Sequence, residues 1–279
     1  MFARAERDGA YPYDSPVSDR ESHAEVLLVV ATLGQRPEYL ALTLASIREQ
    51  EVPADVVIVA PLDAPGIHET ASAFGARILA DPGSLPGAIN LGMNTFAADY
   101  AYVNWLNDDD LIEAGSLAAT KKALDADRRA VVAFGSCRYI DESGKQLWVN
   151  KAGRLAPWIL KWGPDLIPQP GMLVRSSAWR QVGGLDESYR LAFDLDLLLR
   201  LQKIGRLIDV GRVVSSFRWH AESLTVDDRT TNIQESERAK RAALSSSARR
   251  LAWMWEPPVR VATRFAAREV QRRALKAGA

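Results

Sequence analysis

Cysteine is nearly absent from this sequence: Cys137 is the one instance in 279 residues. That excludes an internal disulfide and a cysteine-based zinc cluster, and it fits a reducing compartment. Net charge is absent too, since Lys plus Arg and Asp plus Glu both number 35. Such a balance gives no reason to expect a nucleic-acid partner. No apolar run approaches the roughly 18 residues of a spanning helix. No basic-then-apolar stretch opens the chain, so no signal peptide is expected. Residues 1–24 are polar, carry Pro12 and Pro16, and read as a loosely ordered lead-in. Of three histidines, His23 and His68 lie in polar segments, leaving His220.

What is present is an alternation. Val26–Ala31 is a continuous apolar run, as expected of a strand covered on both faces. A helix is expected over Tyr39–Gln50, with Leu40, Leu44 and Ile47 on one side. Strands follow at Val56–Ala60, Arg77–Ala80 and Tyr100–Leu106, with helices at Ile67–Phe74 and Leu85–Ala97 between them. Alternation of this kind predicts an α/β fold with a mainly parallel sheet, whose ligands bind beyond the carboxyl ends of the strands. Thr32, Asp63, the loop 81–86 and Asp108–Asp110 all fall at such ends. The second half predicts a helix at Ser116–Leu124 and a hairpin of Ala130–Ile140 with Lys145–Asn150. A short strand at Met172–Arg175, a helix at Phe193–Ile204, and strands at Leu207–Val210 and Val213–Trp219 follow.

Asp108, Asp109 and Asp110 stand in a row after a buried strand. Their mutual repulsion calls for a compensating cation, and hard oxygen ligands suit Mg²⁺ or Mn²⁺ with a phosphorylated substrate. A solvated acidic loop is the plainer reading. Asp194 and Asp196 open the helix Phe193–Ile204. Either cap function or general-base function fits; two residues apart on a helix, only one faces a reacting group. The other caps the helix or pairs with Arg200. The Gly83–Ala88 loop is either a phosphate-holding helix start or an ordinary turn. Trp158 and Trp162, four apart, are either a sugar- or lipid-stacking pair or a core pair.

Residues 249–279 carry eight basic residues against Glu256 and Glu269, with Arg260, Arg264, Arg268 and Arg272 at every fourth position. Trp253 and Trp255 lie just upstream. A surface-lying anchor on anionic lipid fits this pattern, as does a helix packed on the domain or on a second copy of the chain.

Four segments, in order, resemble family 2 glycosyltransferases of the GT-A fold. They are VVATLGQRPEYLALTLASIREQ, GSLPGAINLGMNTFAADYAYVNWLNDDDLIEAGSL, IPQPGMLVRSSAWRQVGGLDESYRLAFDLDLLLRLQKIG and FRWHAESLT, spanning roughly residues 25–225. The resemblance implies a Rossmann-like, mixed, mainly parallel sheet flanked by helices. It further implies a nucleotide-sugar half at 25–115, an acceptor half at 116–225, and a basic helical extension at 226–279. The implied activity is inverting transfer of a sugar from a nucleoside diphosphate sugar to an acceptor hydroxyl, with a divalent metal. A carbohydrate or lipid-linked acceptor in surface polysaccharide or glycolipid assembly is expected of a cytoplasmic protein, and the basic tail favours a lipid-linked one at the inner face of the cell membrane, with a protein acceptor as the alternative. On the donor side it implies Thr32, Asp63, Asn90, Asn107 and Asp108. It assigns the metal to Asp109, Asp110 and His220, the base to Asp194, and the acceptor side to Trp158, Trp162, Gln169 and Asp196. The first position of the D-x-D motif is Asn107 here, and Asp63 falls two or three residues after the usual acidic pair. A catalytically inactive sugar-nucleotide binder or scaffold of the same fold and a nucleotidyltransferase are the competing readings.

Overall fold

Six apolar residues in a row put Val26–Ala31 (β1) at the centre of the sheet, each at most 7% exposed. Its side chains alternate between two cores. Leu27, Val29 and Ala31 face one; Val26, Leu28 and Val30 face the other. The computed structural model describes residues 24–151, 153–219 and 229–250, together with 257 and 259.

The chain runs from β1 through α1 (Pro37–Arg48), β2 (Ala54–Ala60), α2 (Ile67–Phe74), β3 (Arg77–Ala80) and α3 (Leu85–Phe96) to β4 (Tyr102–Asn107). Then come β5 (Leu111–Ile112), α4 (Ser116–Ala126), β6 (Ala130–Ile140), β7 (Gln146–Asn150), α5 (Ala156–Leu160) and β8 (Leu173–Arg175). The last elements are α6 (Ser176–Val182), α7 (Phe193–Ile204), β9 (Arg206–Arg218), α8 (Arg229–Ala243) and α9 (Ser246–Arg250). The sheet order is β3-β2-β1-β4-β8-β6-β9-β5, with β7 paired to β6. β1, β2, β3 and β4 are mutually parallel, β8 runs against β4 and β6, and β9 runs parallel to β6. Residues of α1, α2 and α4 fill one core; those of α3, α5, α6, α7 and α8 fill the other.

Most boundaries differ from the sequence expectation by a residue or two, and three of the differences have a bearing on the site. α1 starts at Pro37, not Tyr39, because proline is pre-set for a helix's first turn. β4 ends at Asn107, after a 3₁₀ turn over Ala97–Asp99. The two strands expected at 207–210 and 213–219 are one, β9, which passes through Gly211 at φ 70°. There β6 and β9 shift register, and a Cβ on Gly135 would lie 2.4 Å from the Arg212 carbonyl oxygen. Only glycine permits that approach, so the bend is written into both strands.

Of the extension after residue 225, the described residues 229–250 form α8 and α9. Ala239 and Ala243 of α8 are buried in the same core as α7. Among the described residues no helix is long and apolar enough to cross a membrane.

Candidate active site

β1 and β4 are parallel neighbours with Ala31 opposite Asn107, so the residues that follow leave the sheet side by side. Thr32 Oγ1 donates to Asp108 Oδ2 at 2.5 Å, and Gly34 N–H donates back to Thr32 Oγ1 at 2.9 Å. Burial pushes the Asp108 carboxyl above its ordinary value, Thr32 pulls it down, and the charge of Asp109 pushes it up again. Asp109 meets Arg36 Nη1 at 2.8 Å. Asp110 is fully buried and accepts from Asn107 Nδ2 at 3.3 Å and Arg218 N–H at 3.4 Å. Burial first, then Asp109, drives its carboxyl well above the carboxylate range.

The triplet is thus three different environments. The cation beside it is Arg36, supported by Arg218, which is 2% exposed. The Arg218 guanidinium donates to the carbonyls of Asp109, Asp141 and Glu142 and lies 4.4 Å from the centre of the Tyr39 ring. Among the described residues no group of three or more His, Cys, Asp or Glu side chains converges as a metal site. Asp108 is bonded to Thr32, Asp109 to Arg36, and Asp110 is sealed in the core. The described side chains therefore fall short of a ligand set. His220 lies outside the described residues.

The second chemical group arrives by connectivity. α7 ends at Ile204, and Arg206 at the start of β9 pairs with Ala130 at the start of β6. The helix therefore runs back along the sheet, with its first turn at the carboxyl edge. Phe193 sets its ring 6.3 Å from Trp105 of β4, and Trp105 packs edge-on against Trp179 at 5.9 Å. One residue on, Asp194 is half-buried, and its Oδ1 accepts from Leu195 N–H at 2.7 Å. Burial raises its carboxyl to about 6 against the pull of backbone N–H groups. Asp196 pairs with Arg200 Nε and Nη2 at 2.8 and 2.7 Å, as its four-residue spacing suggested.

Asp165 is a carboxylate that motif reading passed over. Its side chain is exposed, and its Oδ1 accepts from Ile167 N–H at 2.9 Å. Crowding first, then the charge of Asp194, raises it to about 7, while Lys240 opposes the rise. Burial pushes the Tyr139 phenol up, with smaller contributions from Cys137, Asp110 and Asp165. Tyr139 stacks on Trp148 at 4.4 Å, with Phe217 and Trp219 completing an aromatic cluster at the ends of β6 and β9.

The remaining expected residues are dispersed. Asp63 is exposed on the turn after β2. Asn90 grips Leu185, accepting from its N–H and donating to its carbonyl, both at 2.9 Å, and donates to Glu187. Gln169 Nε2 donates to the Trp105 carbonyl at 2.7 Å and to Asn104 Oδ1 at 3.2 Å, bracing β4. Trp158 is 71% exposed, so it is not a core residue. With Trp162, Lys161, Leu199, Gln202 and Lys203 it lines a hollow of about 330 Å³ toward the far end of α7. Ser84 caps α3 through Gly87 N–H at 3.2 Å, an ordinary helix start. Trp253, Trp255 and the stripe Arg260–Arg264–Arg268–Arg272 lie outside the described residues.

No protein-family model matches the sequence, and no curated protein does. Solved structures do. The S. aureus TarS 1–349 structure superposes with a TM-score of 0.60 at 13% identity, covering 81% of this chain and 68% of that one. The same protein in complex with UDP gives 0.58 at 12% identity, covering 81% and 68%. The mannosyltransferase PcManGT from Pyrobaculum calidifontis, in complex with GDP-Man and Mn²⁺, gives 0.55 at 17% identity, covering 83% and 67%. At such identities the likeness shows the fold: a mixed, mainly parallel sheet flanked by helices, as the GT-A resemblance implied.

Proposed function

We propose that this chain is an inverting glycosyltransferase, moving a sugar from a nucleoside diphosphate sugar to an acceptor hydroxyl. One observation carries the reading. Phe193, the residue before the half-buried carboxylate Asp194, packs on Trp105, two residues before Asn107, so one aromatic contact ties the start of α7 to the strand that leads to the triplet. A fold shared with a mannosyltransferase bound to GDP-Man and with a UDP-bound protein supports a nucleotide-sugar donor.

In this reading the donor lies over the ends of β1 and β4. Thr32 and Asp108 line the nucleoside side, and Arg36, half-exposed at the rim, is the positive charge nearest the diphosphate. Asp194 takes the proton of the acceptor hydroxyl. The freed oxygen forms a bond to the anomeric carbon from the face opposite the diphosphate. The bond to the phosphate oxygen breaks, and its electron pair leaves with the nucleoside diphosphate, so the configuration inverts. A divalent ion enters the proposal only at Asp109, in exchange for Arg36, and no step is assigned to it. A lipid-linked acceptor at an anionic membrane face accords with the basic stripe beyond residue 249.

The test is a thermal-shift screen of nucleoside diphosphate sugars, each with and without Mn²⁺, followed by an assay for released nucleoside diphosphate. A donor that raises Tm and is consumed only when acceptor is added supports the reading. No stabilisation by any nucleotide sugar or nucleoside diphosphate would overturn it.

A further inference from the structure

We infer that α8 is a clamp on the acceptor side of the site, and that Glu235 is a positioning residue for Asp194. The inference rests on the sugar-transfer reading for its kinetic consequence, but its geometry stands apart from that reading. The N-cap residue of α7, Ala192, makes no side-chain cap, and within the first turn Leu195 N–H is taken by Asp194 Oδ1. Glu235, from the middle of α8, holds the turn that leads into the helix. Its Oε2 accepts from Leu191 N–H at 2.8 Å, Ala192 N–H at 3.0 Å and Arg190 N–H at 3.1 Å, and its Oε1 accepts from Arg190 N–H at 2.9 Å. Three consecutive N–H groups on one carboxylate fix the orientation of those peptides, and Asp194 is two residues beyond the last of them. Burial alone would raise the Glu235 carboxyl, yet these bonds and Arg238 outweigh it and keep it below its ordinary value.

The same helix makes two further holds. Arg238 Nη2 donates to the Ser188 carbonyl at 2.9 Å and to Ser188 Oγ at 3.1 Å, with its guanidinium 3.7 Å from the centre of the Tyr189 ring. Lys240 Nζ donates to the Gly163 carbonyl at 2.5 Å, two residues before Asp165. Both segments that carry the acceptor-side carboxylates, 163–165 and 188–194, are therefore held by one helix. That helix lies beyond the residue-225 limit of the family resemblance. Hydrophobic packing of Ala239 and Ala243 would hold α8 to the domain without any of these polar contacts, so their concentration on the two carboxylate-bearing segments calls for a use.

The experiment uses the full chain with Glu235→Ala and Glu235→Gln. kcat, KM and donor Kd are measured beside hydrogen exchange of residues 188–197 and a melting curve. Glu235→Ala is expected to lower kcat by about 10–100-fold, the scale of a small misplacement of a reacting group, with donor Kd unchanged. Exchange should accelerate at 190–196 and not in β1–β4. Glu235→Gln, which keeps an acceptor oxygen for part of the set, should fall between Glu235→Ala and wild type. Wild-type kcat in Glu235→Ala, or a kcat loss matched by the loss of folded protein, would overturn the clamp. If the wild-type chain transfers no sugar from any donor, the sugar-transfer reading fails, and hydrogen exchange decides the clamp alone: unchanged exchange at 190–196 overturns it.

Discussion

The ring of Phe193 packs on that of Trp105 at 6.3 Å, joining the first turn of α7 to β4. Trp105 is two residues before Asn107; Phe193 is the residue before Asp194. An apolar contact in the core thus links the element that leads to the acidic strand end with the one that carries Asp194.

Asp194→Asn keeps the shape of the side chain and removes its basicity. kcat should fall by about 10²–10⁴-fold, the usual worth of a positioned base, with donor Kd unchanged by calorimetry. A variant that still turns over at the wild-type rate would move the base elsewhere.

The pH profile should carry the mark of two carboxylates. A base must be ionised to act, so kcat/KM should rise as pH increases through about 6, where burial has moved Asp194. Asp165 is raised to about 7, in part by the charge of Asp194, so it keeps its proton until Asp194 has lost its own. Asp165→Asn removes only that later step, so the limb near 6 should stay in place. A limb displaced in Asp165→Asn would show that Asp165 is already charged when Asp194 titrates.

In the proposal, a divalent ion reaches Asp109 only by displacing Arg36. Mn²⁺ titrated into Arg36→Ala should bind more tightly than to the wild-type chain, and binding should be lost in Asp109→Asn. Equal affinity in all three proteins would remove Asp109 as the ligand.

Gln169→Leu tests bracing against acceptor contact. Removing the amide leaves the Trp105 carbonyl and Asn104 Oδ1 without that donor, at a cost of about 1–3 kcal/mol in urea unfolding. Folded enzyme should retain its acceptor KM. A raised KM at unchanged stability would return Gln169 to the acceptor side.

The parallel half of the fold was legible because buried parallel strands are apolar throughout. Nothing but position in the alternation was needed to place Thr32 and Asp108 at one edge. Asp196 with Arg200 was legible because the pair is four residues apart on one helix. Arg36 with Asp109 was not: the partners are 73 residues apart, and an arginine before a proline in a loop has no pattern of its own. Arg218 sits in a strand that reads as apolar alternation, and its burial depends on carbonyls 76 to 109 residues away. Asp165 lay in a Pro/Gly-rich stretch whose path is fixed by tertiary packing. β9 was divided in two because Gly211 looks like a turn, whereas here glycine lets the strand bend and continue.

The grip of Asn90 on Leu185 has a mechanical meaning. A side-chain amide that engages both the N–H and the carbonyl of one distant residue behaves like one rung of a strand pair, here 95 residues apart in the chain. It welds the helix expected to meet the donor to the loop that leads to Asp194. A cleft built this way cannot open like a jaw between its halves without breaking both bonds at once. Under the sugar-transfer proposal, the span between α3 and the loop that leads to Asp194 is held by those two bonds.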